Sequence, residues 1–198
     1  MKTALWEIVS FFKSHWPHIL IGIPAACAFT ALHELAHCLA VWAQGGTVIE
    51  FAWLPTGKRW GYIRYVFPPD ASFSEAAVSF SPYALWILFC LIAWILSLRR
   101  SPWPFWAASA VFVWLFLVPM ADIANAAFPY VLWNADNDFR HAFGPCRPSM
   151  AAAVLLAGAL AVGVGYHVHR RLYRDRAVGL QAYGIVAATV VLLVAVVA

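Results

Sequence analysis

The sequence predicts an all-α integral membrane bundle of about five transmembrane helices, with a small β-hairpin after the first span. Three observations lead there. Of the 198 residues, 64% are apolar and 11% charged, where a soluble domain runs near roughly 45–50% and 25%; the mean hydropathy is +0.75. The apolar residues gather into five stretches, each near the roughly 20 residues that a helix needs to cross the hydrocarbon core. Between the first two lies a segment of another texture, rich in β-branched and aromatic residues. The length suits one domain across 1–198, with no stretch that looks like a separate soluble unit.

The elements follow in order. Residues 1–18 mix Leu5, Trp6, Ile8, Phe11, Phe12 and Trp16 with Glu7, Lys13 and His15. They read as an amphipathic interfacial segment with tryptophans at headgroup depth, or equally as the start of a longer first helix. With charges inside its apolar part and no small-residue cleavage site, this is not a clean signal peptide. The first span is 19–42; Pro24 is tolerated in lipid, and the Gln-Gly-Gly at 44–46 ends the helix. Residues 47–67 form the expected hairpin, with strands over 47–53 and 60–67 and a Pro-Thr-Gly-Lys turn at 55–58. It serves either as structure or as an edge strand for an extended peptide. The second span is 76–98, opening near Ser-Pro-Tyr at 81–83, and the third is 103–128 with Pro119, Asp122 and Asn125 inside it. A polar loop leads to the fourth span, 150–167, whose Ala and Gly content suits close helix packing. The fifth span is 180–198.

A net charge of +4, set in short basic clusters between apolar runs, points to lipid headgroups and away from nucleic acid. The expected setting is multi-pass, in a bacterial-type cell membrane. With five spans, one side carries eight Lys and Arg and the other five, which favours a cytoplasmic N-terminus. Cys27, Cys38, Cys90 and Cys146 contain no CxxC pair, so neither a disulfide framework nor a cysteine metal site is expected.

The chemistry concentrates in residues 33–37, His-Glu-Leu-Ala-His, inside the first span. Positions i and i+4 share one helix face, so His33 and His37 reach one zinc ion, and Glu34 beside them is the candidate general base. Ionisable side chains are costly at lipid depth and are functional by default. A catalytic zinc takes three protein ligands and keeps one open position, so a third must come from elsewhere. Asp122 is the one downstream carboxylate inside an expected span. His33 and His37 lie nine and five residues from Trp42, and Asp122 six from Phe128; at about 1.5 Å per residue all three sit roughly 7–14 Å inside the same face. Asp122 is therefore the expected third ligand. Asp138 stands behind it, should the loop bearing Asp136, Asp138 and His141 fold back. Asn125 either orients a ligand, bonds substrate backbone or packs helices. His15, His18, His167 and His169 carry no expected role, and Cys38 packs.

The chain resembles the membrane-embedded zinc metalloproteases typified by site-2 protease. The likeness rests on HELAH in the first core span, then "GGTVIEFAWLP…GYIRYVF", then "SFSPY" opening the next span. It covers about residues 19–130. It implies a helical core holding zinc through His33, His37 and Asp122, with Glu34 as catalytic glutamate, and a membrane-anchored or membrane-proximal protein or peptide as substrate. Better-known members face their site toward the cytosol, whereas the charge count places it on the outer side. Where the family reads Leu-Asp-Gly, this chain reads "MADIANAAFP", and it holds no PDZ-sized insertion. The first expectation is thus an intramembrane zinc metalloprotease. The alternative is a non-proteolytic membrane protein that keeps a structural or partner-binding metal site. A di-iron lipid enzyme ranks last, since its sites need several histidine clusters and one HxxxH is present.

Overall fold

A computed structural model of the chain describes residues 2–53, 61–98 and 103–172. Helix α1 runs without a break over Lys2–Ala43, so residues 2–18 continue the first helix. Its end follows from the glycines. Gly45 takes φ +79, the left-handed conformation that closes helices, and the Gly45 and Gly46 amides donate to the Trp42 and Val41 carbonyls at 3.0 and 2.9 Å.

The chain then turns into strand β1 (Thr47–Ala52), which pairs antiparallel with β2 (Tyr62–Val66) from Thr47↔Val66 to Ala52↔Tyr62, with a bulge between Val48 and Glu50. The expected hairpin is present with slightly shorter strands; its turn at 55–58 lies outside the described residues. The Tyr62 hydroxyl donates to Glu50, and Arg64 pairs with the same carboxylate at 3.3 Å.

Helix α2 (Glu75–Ser97) starts on a Ser74 cap that accepts from the Ala77 amide at 3.2 Å. It contains Pro82 and is the hub of the bundle, packing on α1, α4, α5 and α6. Next, α3 (Phe105–Phe112), a π-helical turn (Val113–Leu117) and α4 (Val118–Trp133) form one rod. Pro119 at the start of α4 cannot donate to the turn before it, a local cause for the wider winding there. Asn134 ends α4 with φ 51. A six-residue helix, α5 (Asp138–Phe143), and the long α6 (Pro148–Leu172) follow.

Three described helical stretches are long and apolar enough to cross a membrane: Glu75–Ser97, Ala110–Trp133 and Pro148–Leu172. They answer to the expected second, third and fourth spans. The first lies within α1, where Cys27–Ala43 is a shorter apolar stretch; the fifth lies outside the described residues. Outward faces carry Ile87, Leu91 and Ile95 on α2 and Leu155, Leu156 and Leu160 on α6, continuous apolar surface that suits lipid and not water. Inside, Trp86, Phe112, Phe116 and Tyr130 are fully buried. The Phe29 and Trp86 rings stack at 3.9 Å and 13°, fastening α1 to α2. Gly165 of α6 leaves room for the Phe116 ring, as close packing between membrane helices requires.

Candidate metal centre

One face of α1 is buried by α2 and α4. Leu35, Leu39 and Trp42 point outward, while Glu34, Ala36, His37, Cys38 and Val41 point in. His33 and His37, one turn apart, bring their ring centroids to 5.0 Å. Each ring is held at Nδ1 by an oxygen. His37 Nδ1 donates to the Val78 carbonyl at 2.8 Å, and His33 Nδ1 donates to Asp122 Oδ2 at 2.9 Å. Because both partners are acceptors, each neutral imidazole carries its proton on Nδ1 and presents a lone pair at Nε2.

The two Nε2 atoms converge with Asp138 Oδ2. The separations are 3.3 Å between the nitrogens, 3.3 Å from His33 Nε2 to the oxygen and 3.4 Å from His37 Nε2 to it. Three ligand atoms from three residues thus lie within reach of one metal ion. Neutral rings would leave three lone pairs facing one another, an arrangement that a cation relieves. Burial pushes the Asp138 carboxyl up, but its hydrogen bonds with the His33 and His37 side chains outweigh that and hold the group well below the usual carboxylate range.

The carboxylate that meets both histidines is that of Asp138, which the sequence ranks second, and not that of Asp122. Asp122 does reach His33, as its depth in the span suggests, but at Nδ1, the side away from His37. There its Oδ2 also accepts from Trp86 Nε1 at 3.1 Å. The loop after α4 explains the exchange. Asn137 caps α5 by accepting from the Phe139 and Arg140 amides, and its own amide donates to the Ala126 carbonyl at 2.8 Å, tying α5 back onto α4. Arg140 Nη1 donates to the Asn134 carbonyl, and Asn134 Oδ1 accepts from the Cys146 amide, both at 2.9 Å. Asp138, first residue of α5, is thereby carried to the histidines. Tyr83 donates to the same Asp138 oxygen at 3.5 Å.

A cavity of about 1040 Å³ opens beside this cluster, lined among others by Glu34, Gly61, Tyr65 and Asn125. Glu34 is 7% exposed. Gly61, at the entry to β2, lies against it: a Cβ there would stand 2.8 Å from Glu34 Oε1. Burial pushes the Tyr65 phenol up, helped by Glu75 and Asp138, so it faces the cavity as a neutral hydroxyl. The remaining cluster is looser. His141 Nδ1 pairs with Glu75 at 3.2 Å and its Nε2 with Asp136 at 3.5 Å, all three side chains 46% exposed or more. His169 is buried against the Phe112 ring. The side chains of His15 and His18 lie outside those described. Cys38 is buried as packing, and the four cysteines are free thiols.

The sequence assigns no site role to the Val78 carbonyl, to Trp86 or to Tyr83, which enters only within the Ser-Pro-Tyr that opens the second span. One signal for the first was present: Pro82 has no N–H for the carbonyl four residues before it. Comparisons of the chain with models of known families, with curated proteins and with solved structures return no match.

Proposed function

We propose that the protein is an intramembrane zinc metalloprotease, a bundle of about five spans that hydrolyses peptide bonds of membrane-anchored or membrane-proximal substrates. The observation that carries this is the triangle of His33 Nε2, His37 Nε2 and Asp138 Oδ2 with Glu34 beside it in a cavity wall. Its edges of 3.3, 3.3 and 3.4 Å match the donor spacing of about 3.3–3.4 Å that a tetrahedral zinc site with bonds of about 2.0–2.1 Å demands. Three protein ligands, rather than four, is the count of a catalytic site. When bound, zinc lowers the pKa of a coordinated water to about 7 and polarises a substrate carbonyl.

The rest falls to the chain's own groups. Glu34, with its carboxylate in the cavity wall, takes a proton from the attacking water and delivers it to the departing amine nitrogen. Tyr62 and Ile63 of β2, in a two-stranded sheet, line the same cavity, a setting that suits an extended substrate backbone. Asn125 brings an amide to the same cavity. The reading agrees with the resemblance to site-2 protease, with Asp138 in the ligand position that the resemblance assigns to Asp122.

The test is zinc content and cleavage of a model membrane substrate by the purified protein. Glu34→Gln is expected to keep zinc and lose cleavage by about 10²–10⁴-fold; retained cleavage sinks the proposal. A wild-type chain that holds zinc but cleaves nothing, whose Glu34→Gln form shows every wild-type phenotype and whose His33→Ala form unfolds, is instead the non-proteolytic alternative.

A further inference from the structure

Helix α2 holds the back of the whole cluster. Its Val78 carbonyl accepts from His37, its Tyr83 hydroxyl donates to Asp138 and its Trp86 indole donates to Asp122, which in turn holds His33. The first of these contacts is unusual, because a carbonyl inside a helix is normally occupied by the amide four residues on. Here that residue is Pro82, fully buried and without an N–H. A proline ring also crowds the carbonyl four residues before it and tilts it off the helix axis. Val78 is thus left with an acceptor that the amide four residues on does not take. It takes two side-chain donors, Ser81 Oγ at 2.7 Å and His37 Nδ1 at 2.8 Å.

We infer that Pro82 is a positioning residue for the metal centre: by leaving the Val78 carbonyl without its helical partner, it fixes His37 with its proton on Nδ1 and its Nε2 lone pair aimed at the metal. The inference rests on the metal-site reading above. It assigns a role to a residue that touches neither metal nor substrate. A bond from the ring to an outer oxygen both orients a ligating histidine and raises its basicity, and losing such a partner weakens metal binding about 10–100-fold. In Pro82→Ala the restored amide competes for the Val78 oxygen, so the same loss is expected.

The experiment measures zinc affinity of the full chain in detergent by competition with a chelator, together with the visible spectrum of the cobalt-substituted protein. Pro82→Ala is expected to bind zinc about 10–100-fold more weakly, with an altered cobalt spectrum. Replacing Pro82 by lactic acid, an ester link with neither ring nor N–H, is expected to recover most of that affinity. Pro24→Ala, which removes a proline elsewhere in the bundle, is expected to stay within about twofold. Unchanged affinity in Pro82→Ala, or no recovery with the ester, overturns the inference while leaving the metal site standing. A wild-type chain that binds no zinc overturns both. Should Pro82→Ala fail to fold, nitrogen NMR of the metal-free wild type decides: neutral His37 protonated at Nδ1 supports the inference, and protonation at Nε2 overturns it.

Discussion

Two clusters of histidine and carboxylate lie along one cavity, both drawing on α5 and differing in where their lone pairs point. On the buried side, His33 and His37 each turn one nitrogen toward a single oxygen of Asp138, and their other nitrogens are held from behind. On the exposed side, His141 turns its two nitrogens toward two different carboxylates, Glu75 and Asp136. Residue types are nearly the same in both. Convergence on one point makes the first a candidate ligand set, and divergence makes the second a pair of solvated contacts worth little. Histidine and acid content is therefore a poor guide to metal binding unless backing contacts say which atom each ring presents.

That contrast is easiest to break at Asp138. Asp138→Asn is expected to lower zinc affinity by more than about a hundredfold, beyond the range of outer partners, measured as bound zinc after dialysis against a chelator. Equal affinity in the variant means that the triangle is not the site. Asp122→Asn comes next. As a partner of His33 Nδ1 it is expected to weaken zinc binding by about 10–100-fold and to leave the number of ligands unchanged by X-ray absorption. A lost oxygen ligand in that variant, with none lost in Asp138→Asn, would restore Asp122 to the inner set.

Gly61→Ala tests the cavity wall with the metal left alone. The added Cβ would stand 2.8 Å from both Glu34 Oε1 and Thr30 Cγ2, so the carboxylate must shift. Displacements near 1 Å cost up to about 10²-fold in rate. A drop in kcat of about tenfold or more with full zinc content is expected, and an unchanged rate means that Glu34 tolerates the shift. The smallest effect belongs to His141→Ala. Its exposed pairs are worth under about 1 kcal/mol, so zinc affinity should change less than about twofold; a larger loss would show that the outer cluster shares in the site.

Much of this was legible without coordinates. Period and composition alone put His33, Glu34 and His37 on one helix, with the two histidines on one face, because a 3.6-residue turn sets i and i+4 side by side whatever packs around them. The apolar runs marked three described helices, the glycines at 45 and 46 marked the end of α1, and the β-branched and aromatic run marked the hairpin, all signals carried by neighbouring residues. The exchange of Asp122 for Asp138 was not legible in that way. Depth along a helix is a property of one segment, whereas which nitrogen of His33 meets which carboxylate depends on how α5 is tied back by Asn137 and Asn134, contacts across 11 and 12 residues. The division is physical: local periodicity determined which side chains share a face, and only tertiary packing decided which of their atoms face one another, since each imidazole has two nitrogens and the partner at one selects the role of the other.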